Sequence, residues 1–145
     1  MHGSLSRIRP MVGAALAFLL ASAAGATAEP GGPPWMLEVS DVVARVGEPA
    51  QLTVRVRLRE GFRFLDTYRN RAFEFSTQDD SVRFERRSVV GRIEGDTLVI
   101  DIPLTPKTPG PHVINGLVRI GYAEGQQSMY MVSLPLIATI TGKGS

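Results

Sequence analysis

Residues 52–59 read LTVRVRLR, and this stretch decides the fold. Its apolar side chains alternate with one threonine and three arginines. Successive side chains of a β-strand point to opposite faces, so one face of this segment is apolar and the other is polar. The pattern therefore predicts a strand with one face on a core and the other in solvent.

The same alternation with a period of two continues on both sides of this strand. Shorter alternating segments lie at residues 37–46, 73–75, 82–84 and 98–102, and two longer ones lie at 113–122 and 129–140. Turn-forming residues separate them, as at residues 47–49 (GEP), 78–80 (QDD) and 94–96 (EGD). No segment has a helical period. We therefore predict an all-β fold, an immunoglobulin-like antiparallel β-sandwich of about seven strands.

Prolines mark two places where regular strand pairing is expected to fail. Residues 105–111 contain three prolines and one glycine, which predicts a loop that crosses from one sheet to the other. Pro135 lies inside the last alternating segment. Because proline has no backbone N–H, that position is predicted to lie at a sheet edge or in a bulge.

The N-terminal residues have the features of a secretory signal peptide. Arg7 and Arg9 precede an apolar run from Met11 to about Ala24, and residues 26–28 (ATA) then form an A-x-A site. A membrane anchor needs about 20 apolar residues, and this run is shorter. We predict a signal peptide over residues 1–28, a Pro/Gly-rich linker over 29–34 (EPGGPP) and one domain over 35–145. The expected product is periplasmic or secreted, with no membrane span after cleavage.

Composition excludes several classes of function. The chain has no cysteine, which excludes disulfides, thiolate metal sites, thiol catalysis and acylated-cysteine anchors. Loss of the leader removes Arg7 and Arg9 and leaves 14 basic against 14 acidic residues. Nucleic-acid binding needs a strongly basic domain, so we expect no nucleic-acid partner.

Three segments carry a resemblance to a known family: residues 61–64 (GFRF), 109–112 (PGPH) with Gly116, and the hairpin 121–130 (GYAEGQQSMY). Through them, residues 47–142 resemble the immunoglobulin-like N-terminal periplasmic domain of the thiol-disulfide reductase DsbD. In redox-active relatives this hairpin holds two cysteines that exchange a disulfide with partner proteins. The matching positions here are Ala123 and Met129. The resemblance therefore implies the fold and the compartment, without electron transfer.

The sequence offers little for catalysis. The predicted mature chain has a single histidine, His112, and no G-x-S-x-G motif. It therefore offers no set of nucleophile, general base and base-orienting residue for acyl transfer. His112 lies beside the proline-rich segment and is expected to hydrogen-bond the turn. Scattered carboxylates such as Asp66 and Glu74 are the only argument for glycoside hydrolysis. We expect a protein that is not an enzyme and has no cofactor.

One alternative function is periplasmic copper binding. Met129 and Met131 are two residues apart and therefore share a strand face. With His112, and with Met36 nearby, they would form a soft ligand set suited to Cu(I). In the competing interpretation the methionines fill gaps in an apolar face or lie on an exposed strand.

The arginines of the predicted strand at residues 52–59 form a ladder on one face: Arg55, Arg57 and Arg59. Like charges side by side on a sheet repel, so such a ladder needs partners. The interpretation that we favour pairs it with acidic residues of a neighbouring strand, namely Glu74, Glu85 or Asp101. The alternative is a cationic surface for an anionic partner.

A second candidate surface combines aromatic residues with arginines. Residues 61–70 hold Phe62, Phe64 and Tyr68, and the late hairpin adds Tyr122 and Tyr130. Aromatic residues and arginine are enriched at protein interfaces. In the competing interpretation two of these rings close the end of the sandwich. Our leading hypothesis is an exported, non-enzymatic immunoglobulin-like binding or adaptor module that acts on a periplasmic or envelope protein through the arginine ladder and these aromatics. The sequence identifies neither the partner nor the oligomeric state.

Overall fold

The structure is a computed structural model that describes residues 32–126 and 128–144. The predicted signal peptide and residues 29–31 of the predicted linker lie outside these residues. Eleven strands fill the unit Pro34–Ser145. They are β1 (Trp35–Val39), β2 (Val42–Arg45), β3 (Ala50–Leu58), β4 (Phe62–Phe64), β5 (Arg71–Thr77), β6 (Val82–Phe84), β7 (Ser88–Val90), β8 (Arg92–Glu94), β9 (Thr97–Pro106), β10 (Gly110–Glu124) and β11 (Ser128–Lys143). In this part of the chain, no helix has the length and apolar character needed to cross a membrane.

The strands form two sheets packed face to face, which confirms the predicted all-β sandwich. The first sheet has the order β1-β3-β9-β6, with β8 also paired to β9. The second sheet has the order β2-β11-β10-β5-β7, with β4 also paired to β10. Every pair is antiparallel except β2 with β11.

The predicted number of about seven strands is too low. The N-terminal segment divides after Val39, because β1 joins the first sheet and β2 joins the second. β6 corresponds to the predicted alternating segment at residues 82–84. β4, β7 and β8 were not predicted, because each has only three residues and is too short for an alternating pattern to stand out in the sequence.

The core consists of the inward side chains of two long strands from each sheet. The first sheet contributes Leu52, Val54, Val56 and Leu58 of β3 and Leu98, Ile100, Ile102 and Leu104 of β9. The second sheet contributes Ile114, Val118 and Ile120 of β10 and Leu134, Leu136, Ala138 and Ile140 of β11. The predicted alternation of residues 52–59 is thus confirmed. Burial of each large aliphatic side chain stabilises the fold by roughly 1.5–3 kcal/mol.

The proline-rich segment is more regular than predicted. β9 runs to Pro106 and β10 begins at Gly110, so only residues 107–109 lie outside a strand. The predicted seven-residue loop is therefore wrong in length, although the chain does cross between the sheets here. Pro111 is tolerated because β5 pairs with β10 only from Ile114 onward, so none of the described strands lies on the β5 side of Pro111.

Pro135 lies at a sheet edge, as predicted. β2 pairs with β11 only from Ile140 to Lys143, so the earlier part of β11 has β10 on one side and, within the part of the chain that the structure describes, no strand on the other. The backbone N–H of Thr139 donates to Asp41 Oδ1 at 3.3 Å, away from β10. Backbone groups alternate in direction along a strand. The odd-numbered residues therefore point their N–H groups away from β10, and Pro135 removes no ladder hydrogen bond.

A β-bulge interrupts β5. The register with β10 shifts between Asn115 and Leu117, and Glu74 has a φ of 58°, an unusual value for a residue other than glycine. Beside the bulge, the ring of Phe75 occupies the space where Gly116 has no side chain, because a Cβ there would lie 3.1 Å from Phe75 Cδ1. The bulge thus turns Phe75 toward the core.

Asn70 ties the segment before β5 to the second sheet. Its buried side chain donates from Nδ2 to the carbonyls of Leu65 (3.1 Å) and Tyr68 (3.2 Å), and its Oδ1 accepts from the N–H of Gly121 (2.7 Å). Its carbonyl accepts from the N–H of Gly91 (2.9 Å). One side chain therefore hydrogen-bonds three backbone groups and joins this segment to β10.

Asp101 of β9 joins three strands on the outer face of the first sheet. Its Oδ2 accepts from Arg92 Nη1 of β8 at 2.7 Å, and its Oδ1 accepts from Thr53 Oγ1 of β3 at 2.9 Å. The hydrogen bond from Arg92 lowers the pKa of the Asp101 carboxyl below its ordinary value, against the opposing effect of burial.

Gly91 is expected to tolerate no side chain. It lies where the chain passes from β7 in the second sheet to β8 in the first, and a Cβ would lie 2.7 Å from Ile100 Cγ1 and 2.9 Å from the carbonyl of Val99. We expect Gly91→Ala to lower the free energy of unfolding by about 1–3 kcal/mol through overpacking. Denaturation followed by the fluorescence of Trp35, the sole tryptophan, measures this. Gly144→Ala, which meets no atom within 4 Å, is the control and should leave stability unchanged.

The ion pair of Asp101 is expected to make stability depend on pH. Because its pKa is lowered in the folded state, its contribution is present above the ordinary aspartate pKa of about 3.9 and is lost as pH falls through the lower folded value. Asp101→Asn should therefore cost about 0.5 kcal/mol at neutral pH, a value reduced by solvent screening. The cost should vanish in strong acid. The exposed Glu60 serves as control, and an equal effect of Glu60→Gln would contradict this assignment.

Candidate functional site

Two residues of the predicted arginine ladder, Arg55 and Arg57, lie exposed on the outer face of the first sheet, whereas Arg59 follows the end of β3 and its guanidinium lies over the ring of Phe62. Arg55 lies opposite Glu38 of β1 and Arg57 opposite Met36. Among the residues that the structure describes, no carboxylate lies within 4.0 Å of Arg55, Arg57 or Arg59. The ladder is a cationic strip with Glu38 as its nearest acidic neighbour in register.

The predicted acidic partners of the ladder are wrong. Asp101 is bound by Arg92 and Thr53, and Arg55 acts on it only through a weaker charge interaction without forming an ion pair. Glu85 pairs with Arg83 at 3.4 Å. Glu74 belongs to the bulge of β5 in the second sheet and cannot reach the outer face of the first. The sequence shows charges on strands, but the strand order decides which of them meet.

Four of the aromatic residues gather at one end of the sandwich. The Tyr122 ring stacks on Tyr130 with centroids 5.2 Å apart, and it meets Phe62 at 5.9 Å and Trp35 at 6.0 Å, both edge to face. Burial raises the pKa of the Tyr122 phenol. The cluster corresponds to the interpretation in which rings close the end of the sandwich.

Burial removes two residues from the predicted binding surface. Phe64 and Tyr122 are each only 6% exposed. Phe62 is half-buried under the guanidinium of Arg59, which lies 5.5 Å from its ring centroid. Tyr130 remains 42% exposed. The predicted aromatic surface is therefore mostly internal packing.

Tyr68 lies elsewhere, on the outer face of the second sheet. Its ring covers Gly121, where a Cβ would lie 2.9 Å from Tyr68 Cδ2. Arg119 Nε donates to its hydroxyl at 3.0 Å. The predicted surface thus divides among two sheet faces and one end of the sandwich, and it does not form a single site.

The predicted copper ligands do not meet either. His112 is buried, and its Nε2 lies 2.8 Å from the carbonyl and 3.2 Å from Oγ1 of Thr108, which confirms the predicted hydrogen bond to the turn. His112 pairs with Ile140, nine residues along β11 from Met131. At about 3.3 Å per residue that is a distance of about 30 Å. Met129, Met131 and His112 therefore cannot bind one metal ion, and Met36 lies on the other sheet.

Metal-binding clusters of other kinds are also missing from the described ranges. Within residues 32–126 and 128–144, no three histidine, aspartate or glutamate side chains are arranged to hold a metal ion.

The methionine pair belongs to an exposed apolar stripe on the outer face of β11. Met129, Met131 and Ile137 are 68%, 55% and 64% exposed. They share a face, as the spacing of the methionines predicted. Clustered exposed apolar side chains commonly mark interaction surfaces. We call these three residues the β11 stripe.

The stripe borders an open sheet edge. Among the described residues, no strand pairs with Met129 to Ser133 of β11 on the side away from β10. The N–H groups of Met129, Met131 and Ser133 point to that side, as the hydrogen bond from Thr139 to Asp41 indicates. An unpaired edge is a template for an added strand.

Sequence reasoning missed a basic groove. A space of about 670 Å³ lies between β5 and β6, and its lining includes Phe73, Phe75, Phe84, Arg86 and Arg87. The adjacent arginines after Phe84-Glu85 were a signal in the sequence. Their proximity to the aromatic residues of β5 depends on the tertiary structure.

Comparison with known proteins gives no family. No family model and no curated protein matches the chain. A solved family 123 glycoside hydrolase from Clostridium perfringens is similar at a TM-score of 0.35 and 8% identity, over 78% of this chain and 28% of the hydrolase. The ASH/PapD-like domain 7 of human CEP192 is similar at a TM-score of 0.38 and 9% identity, over 82% of this chain and 94% of that domain. Neither similarity bears on the function of this chain.

Proposed function

We propose that this chain is an exported, non-enzymatic binding or adaptor module that recognises a periplasmic or envelope protein by strand addition. In this proposal an extended segment of the partner pairs with the open edge of β11 and packs beside the β11 stripe. The observation that carries the proposal is that, at Met129–Ser133, exposed methionines lie beside backbone groups that no strand of residues 32–126 and 128–144 pairs with. Main-chain hydrogen bonds supply affinity in this mode of recognition, and side-chain contacts supply specificity.

The rest of the same edge is protected against strand addition. Pro135 offers no N–H, and Asp41 already accepts the N–H of Thr139. Natural edge strands use proline and charged residues in this way to prevent uncontrolled pairing. The protected part confines an added strand to residues 129–133. Methionine suits such a site, because its flexible side chain adapts to the shape of a partner.

The absence of an enzyme motif supports a binding role. His112 is the only histidine in the described residues, and it is buried against Thr108. The sequence has no G-x-S-x-G motif and no thiol. The resemblance to the DsbD N-terminal domain, without its cysteines, fits a scaffold that binds a partner without exchanging electrons.

Export is the first testable part of the proposal. We expect cleavage after Ala28, so that the protein recovered from the cell envelope begins at Glu29. N-terminal sequencing of the periplasmic fraction measures this. Ala28→Arg should block cleavage, because the site needs small residues. A full-length chain in the cytosol would contradict export.

Strand addition is tested by removing one backbone donor. Ser133→Pro deletes the outward N–H, and the fold should tolerate it because Pro135 occupies an equivalent position two residues away. Ser133→Ala keeps the N–H and is the matched control. With tagged mature protein and envelope extract, we expect a bound protein whose recovery falls at least tenfold with Ser133→Pro and is unchanged with Ser133→Ala. Equal recovery with both variants, or no bound protein with the unmodified domain, would exclude strand addition.

A further inference from the structure

The basic groove is a second surface, separate from the β11 edge. It lies between β5 in the second sheet and β6 in the first, and the connection from β6 to β7 contributes Arg86 and Arg87. Its volume of about 670 Å³ falls in the range of ligand-binding clefts. In the second sheet β10 lies between β5 and β11, so the groove and the open edge are on different sides of the domain.

One wall of the groove is aromatic. The rings of Phe75 and Phe84 stack across the two sheets with centroids 5.3 Å apart and an interplanar angle of 25°. Phe73 adds a third ring, with the guanidinium of Arg71 5.1 Å from its centroid. The three rings are half-buried and line the groove. An apolar group of a ligand would contact them without any rearrangement of the core.

The groove concentrates positive charge. Its lining has five cations, Arg71, Arg83, Arg86, Arg87 and Lys107, and two acids, Glu74 and Asp80, for a formal net charge of +3. The predicted mature chain as a whole is neutral, with 14 basic and 14 acidic residues. The positive charge is therefore a local feature of this site.

Three of these cations have no acidic partner in the described ranges. Lys107 pairs with Asp80 at 3.1 Å and Arg83 with Glu85 at 3.4 Å. Among the described residues, no carboxylate lies within 4.0 Å of Arg71, Arg86 or Arg87. Like charges held together repel, and an anion that binds between them relieves the repulsion.

We propose that the groove binds an acidic peptide segment in which carboxylates flank an aromatic or large apolar residue. Arginine binds carboxylates through two parallel hydrogen bonds, and clusters of arginine recognise acidic motifs in proteins. Five cations around a space of about 670 Å³ suit carboxylates distributed along a chain better than a single phosphate. The Phe73, Phe75 and Phe84 wall receives the apolar side chain. Combined with strand addition at β11, the groove would let one domain hold two protein segments at once.

The direct test uses a short fluorescent peptide in which glutamates flank one phenylalanine. Fluorescence anisotropy measures its Kd for the mature domain. We expect Arg86→Gln/Arg87→Gln to weaken binding at least tenfold, and Arg55→Gln/Arg57→Gln to leave it unchanged. The second pair is a matched control, because it removes the same charge from the outer face of the first sheet. Equal weakening by both pairs would show a nonspecific charge effect and would overturn the proposal.

Altered peptides and a phosphate competitor separate the contribution of the carboxylates from that of the aromatic residue. A peptide with glutamine in place of glutamate should lose binding, and one with alanine in place of phenylalanine should bind at least tenfold more weakly. Inorganic phosphate at the same concentration as a competing unlabelled peptide should not displace the probe. Displacement by phosphate alone, or no binding of the acidic peptide to the unmodified domain, would overturn the proposal. Ser133→Pro should bind the peptide normally, so this test and the test of strand addition can fail independently.

Discussion

The apolar contact between two sheets is the constraint on which the rest of this structure depends. The chain has no cysteine and therefore no covalent cross-link, so the inward side chains of β3, β9, β10 and β11 must supply the stability of the sandwich. Every second side chain of these strands packs between the two sheets. Binding groups can only lie on outward positions, at sheet edges or at the ends of the sandwich, and the two surfaces proposed here lie at such places.

After the core, the positions most restricted by packing are those where the chain passes from one sheet to the other. Gly91 crosses directly over Ile100 of the first sheet, with no room for a side chain. Asn70 lies beside it and holds the segment before β5 against Gly121. These contacts fix Tyr68 on the outer face of the second sheet, where its hydroxyl accepts from Arg119. Tyr68, which the sequence suggested as part of a binding surface, is thus a packed part of the outer sheet surface.

The open edge and the basic groove differ in how they would recognise a partner. The edge at Met129–Ser133 offers backbone groups, which any extended segment can pair with, and the β11 stripe adds adaptable apolar contact. The groove offers charge and aromatic faces, which select an acidic segment with an apolar residue. Pro135 and Asp41 limit the first surface to a few residues. Two short, chemically different surfaces on one small domain suit an adaptor.

The sequence by itself determined the strands and the faces that they bury. The alternation at residues 52–59, the shared face of Met129 and Met131, the edge position of Pro135 and the hydrogen bond of His112 to its turn were all predicted correctly. These properties are local, because they follow from backbone geometry and from the absence of an N–H in proline. The segment at residues 82–84 was predicted, whereas the three-residue strands β4, β7 and β8 were missed, since such segments are too short to show a clear period.

The tertiary structure alone decided which distant residues meet. Asp101 binds Arg92 instead of the arginine ladder, His112 lies about 30 Å from Met131 by strand geometry, and Arg86 and Arg87 lie beside the aromatic residues of β5. Each of these outcomes depends on strand order and register. Long-range packing sets both, because a strand with one apolar face can pair with many neighbours before the whole core forms.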